Sequence, residues 1–218
     1  IFMLLTRTFA SYGVEHLKPA VAYVILTVAL LLIFLIIGYP AFIAIFAHLD
    51  PFKFAKKITR VAVFGFSTSS SAATLPLNVK TTVEELGVDE KIASFVLPLG
   101  MTINMNGTAI MQVIATLFIA GCAGYSISFT QLVVIALLAL IASAGTPAAP
   151  GSGAIILFTI LSGLGYVNDA AMLAYSLILA INRPIEMLVT ALNVVGDSAT
   201  SIYVAKSEGV LNEDVYNA

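Results

Sequence analysis

Asn182-Arg-Pro-Ile-Glu186-Met-Leu-Val-Thr190-Ala-Leu-Asn193-Val-Val-Gly-Asp197-Ser-Ala-Thr-Ser201 is the stretch on which the fold turns. Read as a helix, it spaces Asn182, Glu186, Thr190, Asn193 and Asp197 by four, four, three and four residues, so they share one face. The remaining faces carry Ile185, Met187, Leu188, Val189, Leu192, Val194 and Val195. A helix of membrane length thus holds a polar stripe containing two carboxylates. A charge near the bilayer centre costs roughly 2.5–3.5 kcal/mol on insertion scales. Groups kept at that cost face a bundle interior and handle an ion or a substrate. The blander alternative is a polar seam between packed helices.

The composition agrees with a membrane setting. Of 218 residues, 60% are hydrophobic and 10% charged, against about 25% charged in soluble domains. Mean hydropathy is +1.02. The apolar runs are long and lack the alternation of a β-barrel, so the expected class is all-α integral membrane. The single cysteine, Cys122, excludes an intrachain disulfide and a multi-cysteine metal site. No basic patch suits nucleic acid. The chain opens inside an apolar run, Ile1-Phe-Met-Leu-Leu, without an initiator methionine, as a piece of a longer protein would.

Outward from the stripe, the chain alternates long apolar segments with broken ones. Residues 1–48 read as scaffold-type transmembrane helices: a truncated span over 1–12 interrupted by Arg7, a polar loop at 13–19, and a span over 20–48 kinked at Pro40. Lys53, Lys56, Lys57 and Arg60 form an amphipathic basic stretch, which the positive-inside rule places in the cytoplasm. The core, 49–206, then repeats one plan. Residues 50–80 centre on Ser67-Thr-Ser-Ser-Ser-Ala-Ala-Thr-Leu-Pro76, too polar for a lipid-facing span, and read as a re-entrant hairpin. A charged loop, Lys80 to Lys91, follows. Residues 91–123 form a span unwound at 104–107 by Asn104-Met-Asn-Gly107. Residues 131–165 hold Ser143-Ala-Gly-Thr-Pro-Ala-Ala-Pro-Gly-Ser-Gly153, which cannot be uninterrupted helix, and read as a second hairpin. The striped helix covers 170–204, and 207–218 is a cytoplasmic tail. Counting crossings, the two hairpin-plus-helix units start from opposite sides. The expected fold is therefore an inverted repeat of a re-entrant helical hairpin plus an interrupted transmembrane helix, with a substrate site where the broken elements meet.

Four motifs, in order, then resemble one family: Ser69-Ser-Ser-Ala-Ala-Thr-Leu-Pro76, Asn104-Met-Asn-Gly-Thr108, Gly145-Thr-Pro-Ala-Ala-Pro-Gly-Ser-Gly153 and Asn193-Val-Val-Gly-Asp197. They are similar to the dicarboxylate/amino acid:cation symporters, the family of glutamate, aspartate and neutral amino acid transporters, and match its C-terminal half. The resemblance implies a sodium-coupled secondary transporter in the cell inner (plasma) membrane, homotrimeric at full length, with no cofactor beyond the coupling ion Na+ or H+. It implies that Ser71, with the hairpin backbone at Ser69 and Ser70, holds a substrate α-carboxylate. Thr108, Thr190 and Asn193 then bind polar groups, Glu186 the amino group, and the tip at Ala148, Ala149 and Gly153 closes over the substrate. One sodium site draws on Asp197, Asn193, Asn104 and Asn106. Another draws on carbonyls of Thr102, Ser143, Ala144 and Thr146 with Met105 nearby.

Two departures bear on substrate and ion. Acidic-substrate members carry an arginine where this chain has Val189, and an alternative arginine where it has Ser69. An unpaired buried carboxylate costs roughly 3–5 kcal/mol, which favours a small neutral amino acid. Arg183, in the same helix, is the remaining candidate cation for the alternative, an acidic amino acid or dicarboxylate carried with protons or sodium. Many relatives have aspartate where this chain has Asn106, which weakens one cation site and leaves proton coupling through Glu186 as the alternative to sodium. An enzyme is not expected: Pro150-Gly-Ser-Gly153 lacks the G-x-S-x-G spacing of a nucleophilic serine. A passive channel is disfavoured by two unlike hairpins in an inverted repeat.

Overall fold

The computed structural model describes residues 17–218. The span expected at 1–12, with Arg7, and loop residues 13–16 lie outside the described residues. Leu17–Ile33 is α1, so residues 17–19, expected in a loop, already belong to the helix. Pro19 stands in its first turn, where a missing N–H breaks no intrahelical bond. The chain continues through a wide π turn (Phe34–Gly38), a single α turn, α2 (Tyr39–Phe42), and a second π turn (Ile43–Ala47). The expected kink at Pro40 is thus two widened turns flanking it. The helical course ends at His48 in the left-handed conformation.

Asp50 caps α3 (Pro51–Thr68), accepting from the Phe52 N–H at 2.8 Å. Ser69, left-handed at φ 49, and Ser70 alone separate α3 from α4 (Ser71–Glu84). The Ser-rich run is therefore helical almost throughout, and the loop expected from Lys80 shrinks to Glu85–Asp89. The reason is that its hydroxyls find backbone acceptors: Thr74 Oγ1 donates to Ser70 O at 2.8 Å. Its outer positions also face a matching helix. α5 (Glu90–Ile103) and α6 (Asn106–Cys122) are interrupted only at Asn104 and Met105, a narrower break than 104–107. A Ser128–Gln131 capping box starts α7 (Phe129–Ala144), and Gly151, at φ 86, ends the loop into α8 (Ser152–Leu164). The striped segment is two helices, α9 (Asp169–Ile181) and α10 (Arg183–Ser207), parted at Asn182. Pro184 explains the break, since it cannot supply the N–H that would continue α9. The tail carries a short helix, α11 (Glu213–Asn217).

All regular elements among the described residues are helices, and three stretches are long and apolar enough to cross a membrane: Ala20–Ala47, Glu90–Cys122 and Arg183–Ser207. Ile25, Ile36 and Ile37 on the first, with Leu137, Leu140 and Ile141 on α7, stand exposed, which suits lipid and not water. This is a multi-pass, all-α membrane protein. Its order is a close helix pair, a broken helix, a second pair and a second broken helix.

α10 is the central element, packing against α3, α4, α5, α6 and α1. Its contact with α4 is polar. Ser71, Thr74, Asn78, Thr81 and Thr82 line one buried face of α4. Asn78 Nδ2 donates to Val194 O at 3.0 Å, Ser198 Oγ donates to Asn78 Oδ1 at 2.6 Å, and Thr82 and Ser198 hydroxyls lie 3.1 Å apart. At one end, α11 docks on the start of α3. Lys57 Nζ donates to the carbonyls of Glu85, Val215 and Tyr216 at 2.8–2.9 Å, and Tyr216 Oη donates to Asp50 O at 2.7 Å. Burial raises the Tyr216 pKa, keeping that donor protonated. The basic stretch, the 85–89 loop and the tail therefore share one side of the molecule, as the crossing count requires.

Asn78→Leu removes the acceptor of Ser198 and the donor to Val194 inside this seam. Stranding both groups lowers stability by about 1–3 kcal/mol, read as a fall in melting temperature in detergent micelles. Ser198→Ala, which strands less, falls by a smaller amount.

Candidate functional site

Three backbone breaks converge on the middle of α10. The α3–α4 tip, the α5–α6 interruption, the α7–α8 loop and the middle of α10 enclose a cavity of ≈ 30 Å³. Ser69 and Ser71 come from the first tip, Thr108 and Met105 from the interruption. Thr146, Ala148, Ala149 and Gly153 come from the second loop, and Glu186, Val189, Thr190 and Asn193 from α10. Ser70 does not line the cavity. It caps α4 through the Ala73 N–H at 3.2 Å and donates its hydroxyl to Ala148 O at 3.0 Å, so it ties one tip to the other.

Two polar groups at this site already have defined partners. Glu186, buried, accepts the Ala154 N–H at 3.2 Å, and its other oxygen lies 3.6 Å from Arg183 Nη1. The Ala154 amide belongs to the first turn of α8, where the helix dipole favours an anion. Arg183 is 43% exposed in its side chain and leans back on its own helix, one turn from Glu186. Asn193 caps α6 across the gap: its Oδ1 accepts the Gly107 N–H at 2.8 Å, and its Nδ2 donates to Thr108 Oγ1 at 3.1 Å. α6 has no capping side chain of its own, so α10 satisfies one of its orphan donors. Gly107 permits this approach. A Cβ there would stand 2.9 Å from Val189 O.

Beyond Asn193, one turn along α10, lies a second polar cluster. Asp197 is 2% exposed and, among the described residues, its side chain has one partner, Asn104 Nδ2 at 2.9 Å. Asn106 Nδ2 donates to Asn104 Oδ1 at 2.8 Å and to Tyr39 Oη at 3.2 Å. A buried carboxylate with a single neutral donor is under-compensated, and carboxylate, amide and carbonyl oxygens suit a hard cation. Among the described residues no three His, Cys, Asp or Glu side chains come together as a softer metal would need.

The other expected cation residues are more dispersed. Met105 and Thr146 line the first cavity, and Ser143 is buried near the end of α7. Thr102 is exposed, with its hydroxyl donating to Leu99 O at 2.9 Å, and Ala144 is exposed as well. Their helices, α5 and α7, are neighbours.

Sequence reading missed Tyr39 and Tyr23. Both are buried, and Tyr23 Oη donates to Asn182 Oδ1 at 2.6 Å. Their signal was faint: two tyrosines with aliphatic neighbours in an apolar span. It also missed Gln112, which donates to Gly153 O at 3.2 Å, and the buried stripe of α4. The last was visible as Ser71, Thr74, Asn78, Thr81 at helical spacing.

A family model described as the sodium:dicarboxylate symporter family matches residues 1–207. The chain is 34% identical over 177 residues to an excitatory amino acid transporter of Caenorhabditis elegans, covering 81% of this chain and 34% of that protein. It is 34% identical over 176 residues to excitatory amino acid transporter 1 of Rattus norvegicus, covering 81% and 32%. Against excitatory amino acid transporter 2 of Homo sapiens it is 36% identical over 162 residues, covering 73% and 28%. The chain therefore spans about a third of the length of these curated relatives.

Gly107→Ala forces α6 and α10 apart at the cavity and lowers the melting temperature. Gly121→Ala, on the same helix with nothing within 4 Å of the added Cβ, raises stability by up to about 1 kcal/mol. Thermal unfolding of the two variants side by side checks this.

Proposed function

The chain belongs to the sodium:dicarboxylate symporter family, and on that premise we propose that the intact protein carries a small neutral amino acid by sodium-coupled symport. It works by alternating access in the plasma membrane, as a homotrimer, and is not an enzyme. The observation that carries this reading is the pairing of a small cavity lined by Glu186 and Asn193 with an under-compensated Asp197 one turn beyond Asn193. A zwitterion and a cation are the two guests that such a pair of sites asks for.

In this reading the N-terminus of α4 and Ser71 take the α-carboxylate, because helix N-termini present free N–H groups. Glu186 takes the ammonium group, trading its Ala154 contact for it. Thr108, Thr190 and Asn193 fix the orientation, and Val189 contacts the side chain. Ala149 and Gly153 belong to the α7–α8 tip, which closes the site. Asp197, Asn104 and Asn193 hold one sodium ion, with Asn106 beside them. Carbonyls of Thr102, Ser143, Ala144 and Thr146, with Met105, hold another. The two hairpins enter from opposite membrane faces, and the helix through Tyr23 and Tyr39, expected from the sequence to be scaffold, is instead proposed to move with the core, because its hydroxyls reach the core's polar network.

Arg183 supports a second reading. It is a cation 3.6 Å from Glu186, and by turning toward the cavity it would neutralise an acidic side chain. Relatives named as excitatory amino acid transporters point the same way.

Uptake into proteoliposomes of the full-length protein, under an inward sodium gradient, separates the readings. Alanine or serine accumulates, and Val189→Arg shifts preference toward aspartate by tenfold or more, since a buried charge pair is worth roughly 3–5 kcal/mol when broken. Strong aspartate uptake that Arg183→Ala abolishes establishes the second reading. Uptake driven by a proton gradient alone overturns sodium coupling.

A further inference from the structure

Tyr39 closes a chain of hydrogen bonds that runs Tyr39–Asn106–Asn104–Asp197. Each link has a direction. Asn106 Nδ2 gives to Tyr39 Oη and to Asn104 Oδ1, and Asn104 Nδ2 gives to Asp197 Oδ1. Every arrow starts on an amide nitrogen, so the Asn104 side chain shows Asp197 its donor end. A sodium ion beside Asp197 needs the opposite end, an oxygen.

Asn104 cannot turn over alone. Its NH2 would then meet the NH2 of Asn106, donor against donor. Asn106 has to turn with it, placing its Oδ1 where its nitrogen stood. That oxygen then accepts from Asn104 and lies within reach of Tyr39 Oη, which changes from acceptor to donor. A phenolic hydroxyl is one of the few groups that can do both. Among the described residues the Tyr39 hydroxyl accepts a hydrogen bond and donates none in the present arrangement, so reversal gives its buried O–H an acceptor it lacks.

Two structural features hold Tyr39 at this post. Gly196 makes the space: a Cβ there would stand 2.1 Å from Tyr39 Oη and 2.8 Å from Asn104 Nδ2. The two wide turns, Phe34–Gly38 and Ile43–Ala47, bracket the single α turn that begins with Tyr39. Wide turns of this kind are frequent at functional sites, where they re-aim a side chain.

We propose that Tyr39 and Asn106 form a reversible relay that sets whether Asn104 presents a nitrogen or an oxygen to the cation at Asp197. Tyr39 is a positioning residue in this scheme and touches no ion itself. Asparagine at 106 is what makes the relay reversible, because an aspartate there only accepts and would hold Asn104 permanently in the oxygen-forward state. The proposal rests on the sodium-coupled reading above.

The test is sodium binding, measured on purified full-length protein as the sodium concentration that gives half-maximal thermal stabilisation, without transport. Tyr39→Phe keeps the ring and its packing, and raises that concentration about fivefold to tenfold, the scale of one buried hydrogen bond. Asn106→Asp lowers it. In an Asn106→Leu background, where the relay is already cut, Tyr39→Phe changes nothing further. A Tyr39→Phe protein with the sodium dependence of the parent overturns the relay while leaving sodium coupling standing. An equal Tyr39→Phe effect in both backgrounds overturns it too, since Tyr39 then acts through packing. If the parent shows no stabilisation by sodium, the relay falls together with the coupling reading, whereas potassium-insensitive stabilisation by sodium in the parent keeps that reading secure.

Discussion

A carboxylate buried in a membrane protein has to be answered, and the rest of this structure follows from how Glu186 and Asp197 are answered. α10 carries both, 11 residues apart, on a face that is buried along its length. Around Glu186 the answer is supplied by the protein: a helix-terminal amide and a guanidinium. Around Asp197, among the described residues, it is one asparagine amide. The two carboxylates therefore differ in how well the protein satisfies them. Neither arrangement survives in continuous helix, because continuous helix has no spare N–H or C=O to offer. The breaks at Ser69, Asn104 and the 145–151 loop exist at the depth where those spare groups are used.

Each break would be costly if its freed backbone groups stayed orphaned. The structure meets that cost with side chains borrowed from neighbours. Asn193 of α10 caps α6, Ser70 caps α4 and reaches across to the other tip, and Ser152 donates to Pro147 O and Ala149 O within its own loop. The polar stripe of α4 lies on that of α10 for the same reason. Hydroxyls and amides that lipid could not satisfy satisfy one another, and the result is a seam that fixes α4 on α10 through directional bonds.

Much of this was legible in the sequence, for a physical reason. Membrane burial makes polar residues expensive, so a stripe such as Glu186–Thr190–Asn193–Asp197 stands out against its background, and Pro and Gly mark the breaks. What was not legible is where polar groups cease to be breakers. Ser67 to Pro76 looks too polar for continuous helix, yet all of it but Ser69 and Ser70 is helical, because the α4 stripe it leads into finds its partner stripe 116–120 residues away in sequence. The break in 170–207 was likewise missed, since Asn182 fits the stripe spacing whether or not the helix is continuous. Tyr39 and Tyr23 were missed because an aromatic in an apolar span reports its ring to sequence reading, and only the fold shows where its hydroxyl points.

The two clusters are not independent. Asn193 stands between them, with its oxygen on Gly107 and its nitrogen on Thr108 and on Met105 Sδ at 3.2 Å. Residues 104–108 are one short piece of chain: Asn104 and Asn106 belong to the Asp197 cluster, whereas Met105 and Thr108 line the cavity. Residues at the Asn104–Met105 interruption and in the first turn of α6 therefore face two sites. A backbone shift at Asn104 is passed to Met105 and Thr108 at the cavity wall, and whatever fixes Thr108 limits what Asn104 can do. For the symport proposed above, linkage then requires cation and substrate to change each other's affinity by the same factor. In that proposal, coupling reduces to the conformational stiffness of residues 104–108 and the one asparagine, Asn193, that holds them.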